Sequence, residues 1–146
     1  MLPIGLAVLA AGTAPAASPA AEANYFGYAH RAVEAWQCLV NAQRGRVEVD
    51  VDALFRTGYR AGSDFLDAYR LGRVTIEWEQ MPKAWWTVFD RPASDDFVLG
   101  QLFQQVKVSR AAAFDREGKG RTGEMVWFEA AFLEAGCERF LADSRG

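Results

Sequence analysis

The stretch Asp50–Gly72 constrains this chain most, because it sets two glycines inside an unbroken helical apolar period. Val51, Phe55, Gly58, Gly62, Phe65 and Tyr69 are spaced alternately by four and three residues, which keeps them on one face of an α-helix. Leu54, Ala61, Leu66 and Ala68 widen the stripe. Asp52, Arg56, Arg60, Ser63, Asp67 and Arg70 fall on the other side, the pattern of a helix half in solvent. Asp50 suits the N-cap, since its carboxylate can accept from free N–H groups of the first turn. Val49 and Leu54 stand at hydrophobic-staple positions, and Gly72 can supply the left-handed residue that ends the helix.

Each mid-helix glycine costs about 1 kcal/mol relative to alanine. Two of them on the buried face therefore predict close approach by another backbone or a flat ring. Gly58 and Gly62 are read as helix-packing glycines inside a monomer, in preference to a functional groove or an oligomer seam. Two aromatic-rich neighbours compete to lie against them, the Trp78–Phe89 stretch and a first helix through Trp36. The rest of the chain is expected to be organised around this segment.

With 146 residues and a net charge of −3, the chain is long enough for one domain with a real core. Aromatics make up 13%, with five tryptophans, which argues against disorder. The mild acidity gives no sign of a nucleic-acid partner, which would favour a basic face. Residues 1–23 differ in kind. Ile4 to Ala11 is a short apolar run, followed by Pro15 and Pro19 among alanines and serine. Ala14–Ala16 and Ala21–Ala23 both fit a small-x-small cleavage site. This reads as a secretory signal peptide with an uncertain cleavage point, although no Lys or Arg precedes the run. The run is too short to span a bilayer, so the mature chain is expected to carry no transmembrane span. The domain is then 24–146, in a periplasmic or secreted bacterial protein.

In an oxidising compartment the two cysteines, Cys38 and Cys137, read as a disulfide. It would close a loop of about 100 residues, worth up to ~4.7 kcal/mol in the chain-entropy model. It would tie the first helix to the last.

That first helix is predicted from about Glu22 to Arg44, with Ser18–Pro19 as an alternative start and Gly45 as its C′ residue. Its apolar stripe is Tyr25, Ala29, Ala32, Val33, Trp36, Leu39 and Val40. Cys38 points to the opposite side, near Arg31, Glu34 and Ala42, so the last helix must reach around the shoulder of the first. Val47, Val49 and Val51, and again Val74, Ile76 and Trp78, alternate with polar residues in a strand-like way. The preferred reading is a capped loop for the first and a short helix begun by Thr75 for the second. Pro82 can open a helical turn that gathers Trp85, Trp86 and Phe89. Ser94 caps a helix running to about Phe114, with Gly100 allowing another close approach. Thr122 caps the last helix, Glu124 to about Ala142. Val126, Ala130, Leu133, Cys137 and Leu141 form one apolar side of it, and Met125, Phe128 and Phe132 another, as for an enclosed helix.

Several chemistries find little support in these residues. His30, Glu34 and Cys38 line one side of the first helix at i, i+4, i+8. A metal site would need more ligands than one histidine and a cysteine expected to be oxidised. A Ser–His or Cys–His nucleophile would need His30 as its base, and no nucleophile-elbow motif is present. Asp64 with Asp67, Asp95 with Asp96, and Glu77 with Glu79 are carboxylate pairs of the kind a glycan hydrolase uses. None is set apart by its surroundings, and Asp52–Arg56 and Arg60–Asp64 read as surface pairs. Gly118–Gly123 precedes a helix, where anions bind, and follows Lys107, Arg110 and Arg116. Its spacing is neither that of a Walker A loop nor that of an EF-hand.

The expectation is thus an all-α single-domain bundle of four main helices plus a short aromatic helical segment, clipped by Cys38–Cys137. No catalytic, metal or cofactor-binding residue is assigned. Trp78, Trp85, Trp86 and Phe89 are the candidate partner or ligand surface. The expected function is non-catalytic binding of another envelope or exported protein, as an inhibitor, immunity factor or adaptor. The alternatives are an envelope glycan hydrolase using a carboxylate pair, or a small apolar-ligand carrier with a cavity beside Gly58 and Gly62.

Overall fold

The computed structural model describes residue 12 and residues 19–89 and 93–142. Of the expected signal peptide, 1–23, all but residue 12 and residues 19–23 lies outside the described residues, as do Asp90, Arg91 and Pro92. Five α-helices follow one another: α1 (Pro19–Gly45), α2 (Val51–Arg70), α3 (Asp95–Glu117), α4 (Glu124–Glu134) and α5 (Glu138–Ala142). Two 3-10 turns, Trp78–Gln80 and Lys83–Trp85, fill the aromatic stretch. No strand occurs among the described residues. Val47, Val49, Val74 and Ile76 instead lay their side chains against the core from unpaired segments, and Val51 does so from the first turn of α2. Alternation thus marks extended chain with one buried side, whether or not it finds a ladder. Thr75 does not start a helix; the first helical turn begins at Trp78.

The expected centre is corrected. α1, not α2, is the hub, packing against α2, α3 and α4. Ala29, Ala32, Val33, Ala35, Trp36, Cys38, Leu39, Val40, Asn41 and Ala42 are all buried. A helix covered on nearly all sides shows no single apolar stripe, so its central position is masked in sequence. The reverse holds for α4, which is not enclosed. Phe128 and Phe132 are buried, while Met125, Val126 and Leu133 face out.

Two glycines of α2 do admit close neighbours, and the aromatic one is Trp36. A Cβ on Gly58 would stand 2.4 Å from Trp36 Nε1. That indole donates to the Phe55 carbonyl oxygen at 3.1 Å, which fixes the ring in place. A Cβ on Gly62 would meet Leu99 Cδ2 of α3 at 2.5 Å. Gly100, by contrast, has open space beside it, so no close approach occurs there.

The α2 ends match their sequence signals. Asp50 accepts from the Ala53 N–H at 2.9 Å. At the other end Gly72 has φ +68, and the Gly72 and Arg73 N–H groups donate to the Tyr69 and Ala68 carbonyls, a Schellman closure. The end of α1 differs from expectation. The left-handed residue is Arg46, at φ 52, while Val47 N–H donates to the Ala42 carbonyl at 2.9 Å. Gly45 serves another need, since a Cβ there would lie 2.6 Å from the Glu129 backbone nitrogen of α4.

α3 is capped by Ser94, which accepts from Phe97 N–H at 3.3 Å, and continues past Phe114 to Glu117. Thr122 is not a cap; Gly123 takes the N-cap position of α4 without a side-chain bond. The last helix breaks after Glu134, where Gly136 adopts φ +63. The break resets the helical phase, so Cys137 is buried although Val126 and Leu133 of its predicted stripe are exposed.

Candidate functional site

Cys38 and Cys137 are joined, with Cα atoms 5.6 Å apart, and both are buried. The bond pins the middle of α1 to the break after α4. Gly45 pins the end of α1 to the backbone of Phe128 and Glu129. Along this α1–α4 contact lies a cleft of about 510 Å³. Glu34, Gln37, Cys38 and Asn41 of α1 line it at helical spacing. Opposite stand Trp127, Ala130, Ala131, Glu134 and Ala135, with Arg110 and Glu117 from α3 and Arg139 from α5.

Arg110 is the distinctive group. It is half-buried, and its Nε donates to Oδ1 of Asn41 at 2.9 Å. Asn41 is only 2% exposed and is the one buried polar side chain among the described residues. The guanidinium lies 5.1 Å from the Trp127 ring, within range of a cation–π contact. Burial lowers its pKa from the usual arginine value and nearby Glu117 raises it; arginine stays protonated throughout. Its two Nη groups make no hydrogen bond or ion pair with the described residues. Four of its five N–H donors thus have no protein partner, and they are not among the buried unpaired atoms, so they stay open to solvent in the cleft.

Local structure holds the wall in place. Trp127 packs edge-on against Phe114 and Phe128. A Cβ on Gly118 would lie 2.6 Å from the Trp127 ring. The first glycine of the basic loop therefore makes room for an indole. Arg139 reaches Glu34 at 2.8 Å across the cleft mouth. Arg44 pairs with Glu124 and stacks 4.5 Å over Phe128 at the other end.

The aromatic stretch divides. Trp85 is fully buried, donates to the Ala29 carbonyl at 3.0 Å and stacks on Phe89. Phe89 also meets Phe65 and Tyr69 edge-on. Trp78 and Trp86 are 42% and 44% exposed, with the Trp86 indole bonded to the Trp78 and Met81 carbonyls. The stretch plugs the α1–α2 core on one side and offers two rings to solvent on the other. It does not touch the glycine seam.

His30, Glu34 and Cys38 have separate partners: the Gln80 carbonyl at 2.7 Å from His30 Nε2, Arg139, and Cys137. The named carboxylate pairs are likewise engaged singly. Asp95 lies 2.6 Å from Arg70, Asp96 accepts from Tyr59, and Glu77 accepts from Gln80. The hydrogen bond from Tyr59 to Asp96 raises the tyrosine pKa. Asp64 is exposed on α2; its pKa is raised by partial desolvation and by Asp67, against Arg60. Beside Gly58 and Gly62 the room a carrier would need is taken by Trp36 and Leu99.

Sequence reasoning named Arg110 and Glu34 in other settings and missed Asn41, Trp127 and Glu134. Glu34, Cys38 and Asn41 share an i, i+4, i+7 face, as do Trp127, Ala131 and Glu134. Those two matching faces were the available signal. Neither the protein-family models, the curated proteins nor the solved structures contain a match to this chain.

Proposed function

We propose that this is an exported bacterial protein that binds a partner without catalysis, and that the α1–α4 cleft is where it does so. The observation that carries this reading is Arg110, half-buried on the cleft floor with its Nη groups unpaired. Those donors are open to solvent on the cleft lining, where a partner's acceptors can take them. The disulfide and the apolar, alanine-rich start of the chain support an oxidising, extracytoplasmic location. No helix among the described residues is long and apolar enough to cross a membrane. An envelope or exported protein is the expected partner, with the protein acting as inhibitor, immunity factor or adaptor. Exposed Trp78 and Trp86 give a second contact surface.

A photo-crosslinking side chain at Ala130, on the cleft lip, tests this in intact cells, with Val108 on the exposed side of α3 as the control position. A discrete adduct at Ala130 that is absent at Val108 and lost with Arg110→Gln supports the reading. No adduct, or equal adducts at both positions, overturns it.

An envelope glycan hydrolase remains a second reading because Glu34, Glu117 and Glu134 line one cleft, and such enzymes use facing carboxylates. It predicts soluble fragments from purified cell-wall glycan, abolished by Glu117→Gln or Glu134→Gln. Intact glycan after prolonged incubation removes it.

A further inference from the structure

The charges of the cleft define what it can take, if the cleft is the recognition site proposed above. Arg139 and Glu34 neutralise each other at 2.8 Å. Arg110, Glu117 and Glu134 remain on the lining. Glu117 acts electrostatically on Arg110, whereas Glu134 makes no hydrogen bond or ion pair among the described residues. A bare polyanion such as phosphate would meet two carboxylates, and a bare cation would meet the guanidinium. A ligand that carries both charges satisfies both sides.

The kind of anion follows from the guanidinium geometry. Asn41 holds Nε, so the Nη1–Nη2 end of the fork is the part left to bind. Two parallel N–H donors in a plane match the two oxygens of a carboxylate. Trp127, Ala130, Ala131 and Ala135 supply an apolar wall beside it. At about 510 Å³ the cleft falls in the range of sites for small ligands, ~300–1,000 Å³.

We infer that the cleft binds a peptide-borne carboxylate accompanied by an ammonium group, with Arg110 receiving the carboxylate end-on and Glu134 the ammonium. Two sources carry that chemistry, a free short peptide and the C-terminus of a longer chain with a neighbouring lysine.

Titration calorimetry on the full chain separates them. The first probe is the dipeptide Ala-Ala, and the second is a longer N-acetylated peptide ending in Lys-Ala. Each is compared with its own C-terminal amide, which keeps the shape and removes the anion. At least one free acid should bind, and its amide should bind about tenfold more weakly or worse, as befits the loss of a charge-assisted pair. Binding of Ala-Ala assigns the free-peptide source; binding of the acetylated peptide alone assigns the chain terminus. Arg110→Lys, which keeps the charge but not the fork, should shrink the acid–amide ratio. Glu134→Gln should weaken the free acid severalfold. The wild-type acid–amide comparison stands even if a variant fails to fold. Equal binding of acid and amide, or no heat from either free acid, overturns the inference. In that event an adduct at Ala130 would leave the cleft standing as a recognition site for other chemistry. Peptide binding without any adduct would instead remove the protein-partner reading and keep the ligand class.

Discussion

Trp36 and Cys38 are two residues apart on α1 and face two interfaces built on opposite terms. On the Trp36 side, Gly58 and Gly62 let α2 close on an indole and a leucine with no room for a methyl group. On the Cys38 side, α4 also packs along α1, but that contact borders a cleft lined with charge. Small residues shorten the first interface, whereas the second leaves a charged cleft beside its Gly45 and disulfide contacts. The comparison teaches that a helix buried on nearly every side can still present two unlike faces, tight packing on one and a charged cleft on the other.

Cutting the pin should have the largest effect. Replacing Cys38 and Cys137 together by alanine is expected to cost about 2–4 kcal/mol, because the unfolded chain regains the entropy of a long loop. Denaturant midpoints, with and without reductant, measure it. The loss should be global, and any further speeding of amide exchange in α4 and α5 beyond that in α2 would sharpen the division; no loss in either measurement would contradict the role of the disulfide.

The packed face should resist added volume. Gly58→Ala is expected to destabilise by about 1–3 kcal/mol, since the Trp36 ring is tied to the Phe55 carbonyl and cannot easily withdraw. Gly62→Ala should cost less, because the obstacle is the end of a leucine side chain. Gly100→Ala, in open space, should stabilise by about 1 kcal/mol. Thermal melts of the three variants give the order; a neutral Gly58→Ala would contradict the seam.

The cleft should tolerate what the seam does not. Arg110→Lys keeps the charge and an N–H donor for the buried Asn41 oxygen and loses only the planar fork. Its stability is expected to stay within about 1 kcal/mol of wild type. A loss as large as that of Gly58→Ala would mean that Arg110 is a packing residue and would remove the contrast.

The smallest effect belongs to the α2 solvent face. The folded-state pKa of Asp64 is raised, chiefly by desolvation. The folded protein therefore binds a proton more readily there than the unfolded chain, and this contribution to stability falls as pH rises through the window just above the ordinary aspartate pKa. Asp64→Asn should melt slightly higher than wild type at neutral pH, with the difference vanishing in acid. An unchanged or lower melting point at neutral pH would contradict that sign.

The seam was legible in sequence because its signal is local. Glycines at fixed helical phase require a close neighbour whatever the tertiary fold, and Asp50 and Gly72 mark ends by backbone chemistry alone. The disulfide was legible from the count of cysteines and an expected oxidising context. The hub was not, because burial on all sides erases periodicity in α1. The break at Gly136 was hidden by an apolar pattern that runs straight through it. The cleft was least visible of all. Its residues come from α1, α3, α4 and α5, and only the tertiary arrangement turns Asn41, Arg110, Trp127 and Glu134 into neighbours. The exposed tryptophans drew attention because they are adjacent in sequence, whereas half of that stretch is core.

Side-chain NMR of Arg110 during titration with the peptide acid that binds is the most direct test of the central claim. The account predicts that the Arg110 guanidinium and Trp127 indole signals move together, saturably, while the Trp78 and Trp86 indoles stay still. Movement of Trp78 and Trp86 with Arg110 unmoved would place recognition on the aromatic patch and contradict it.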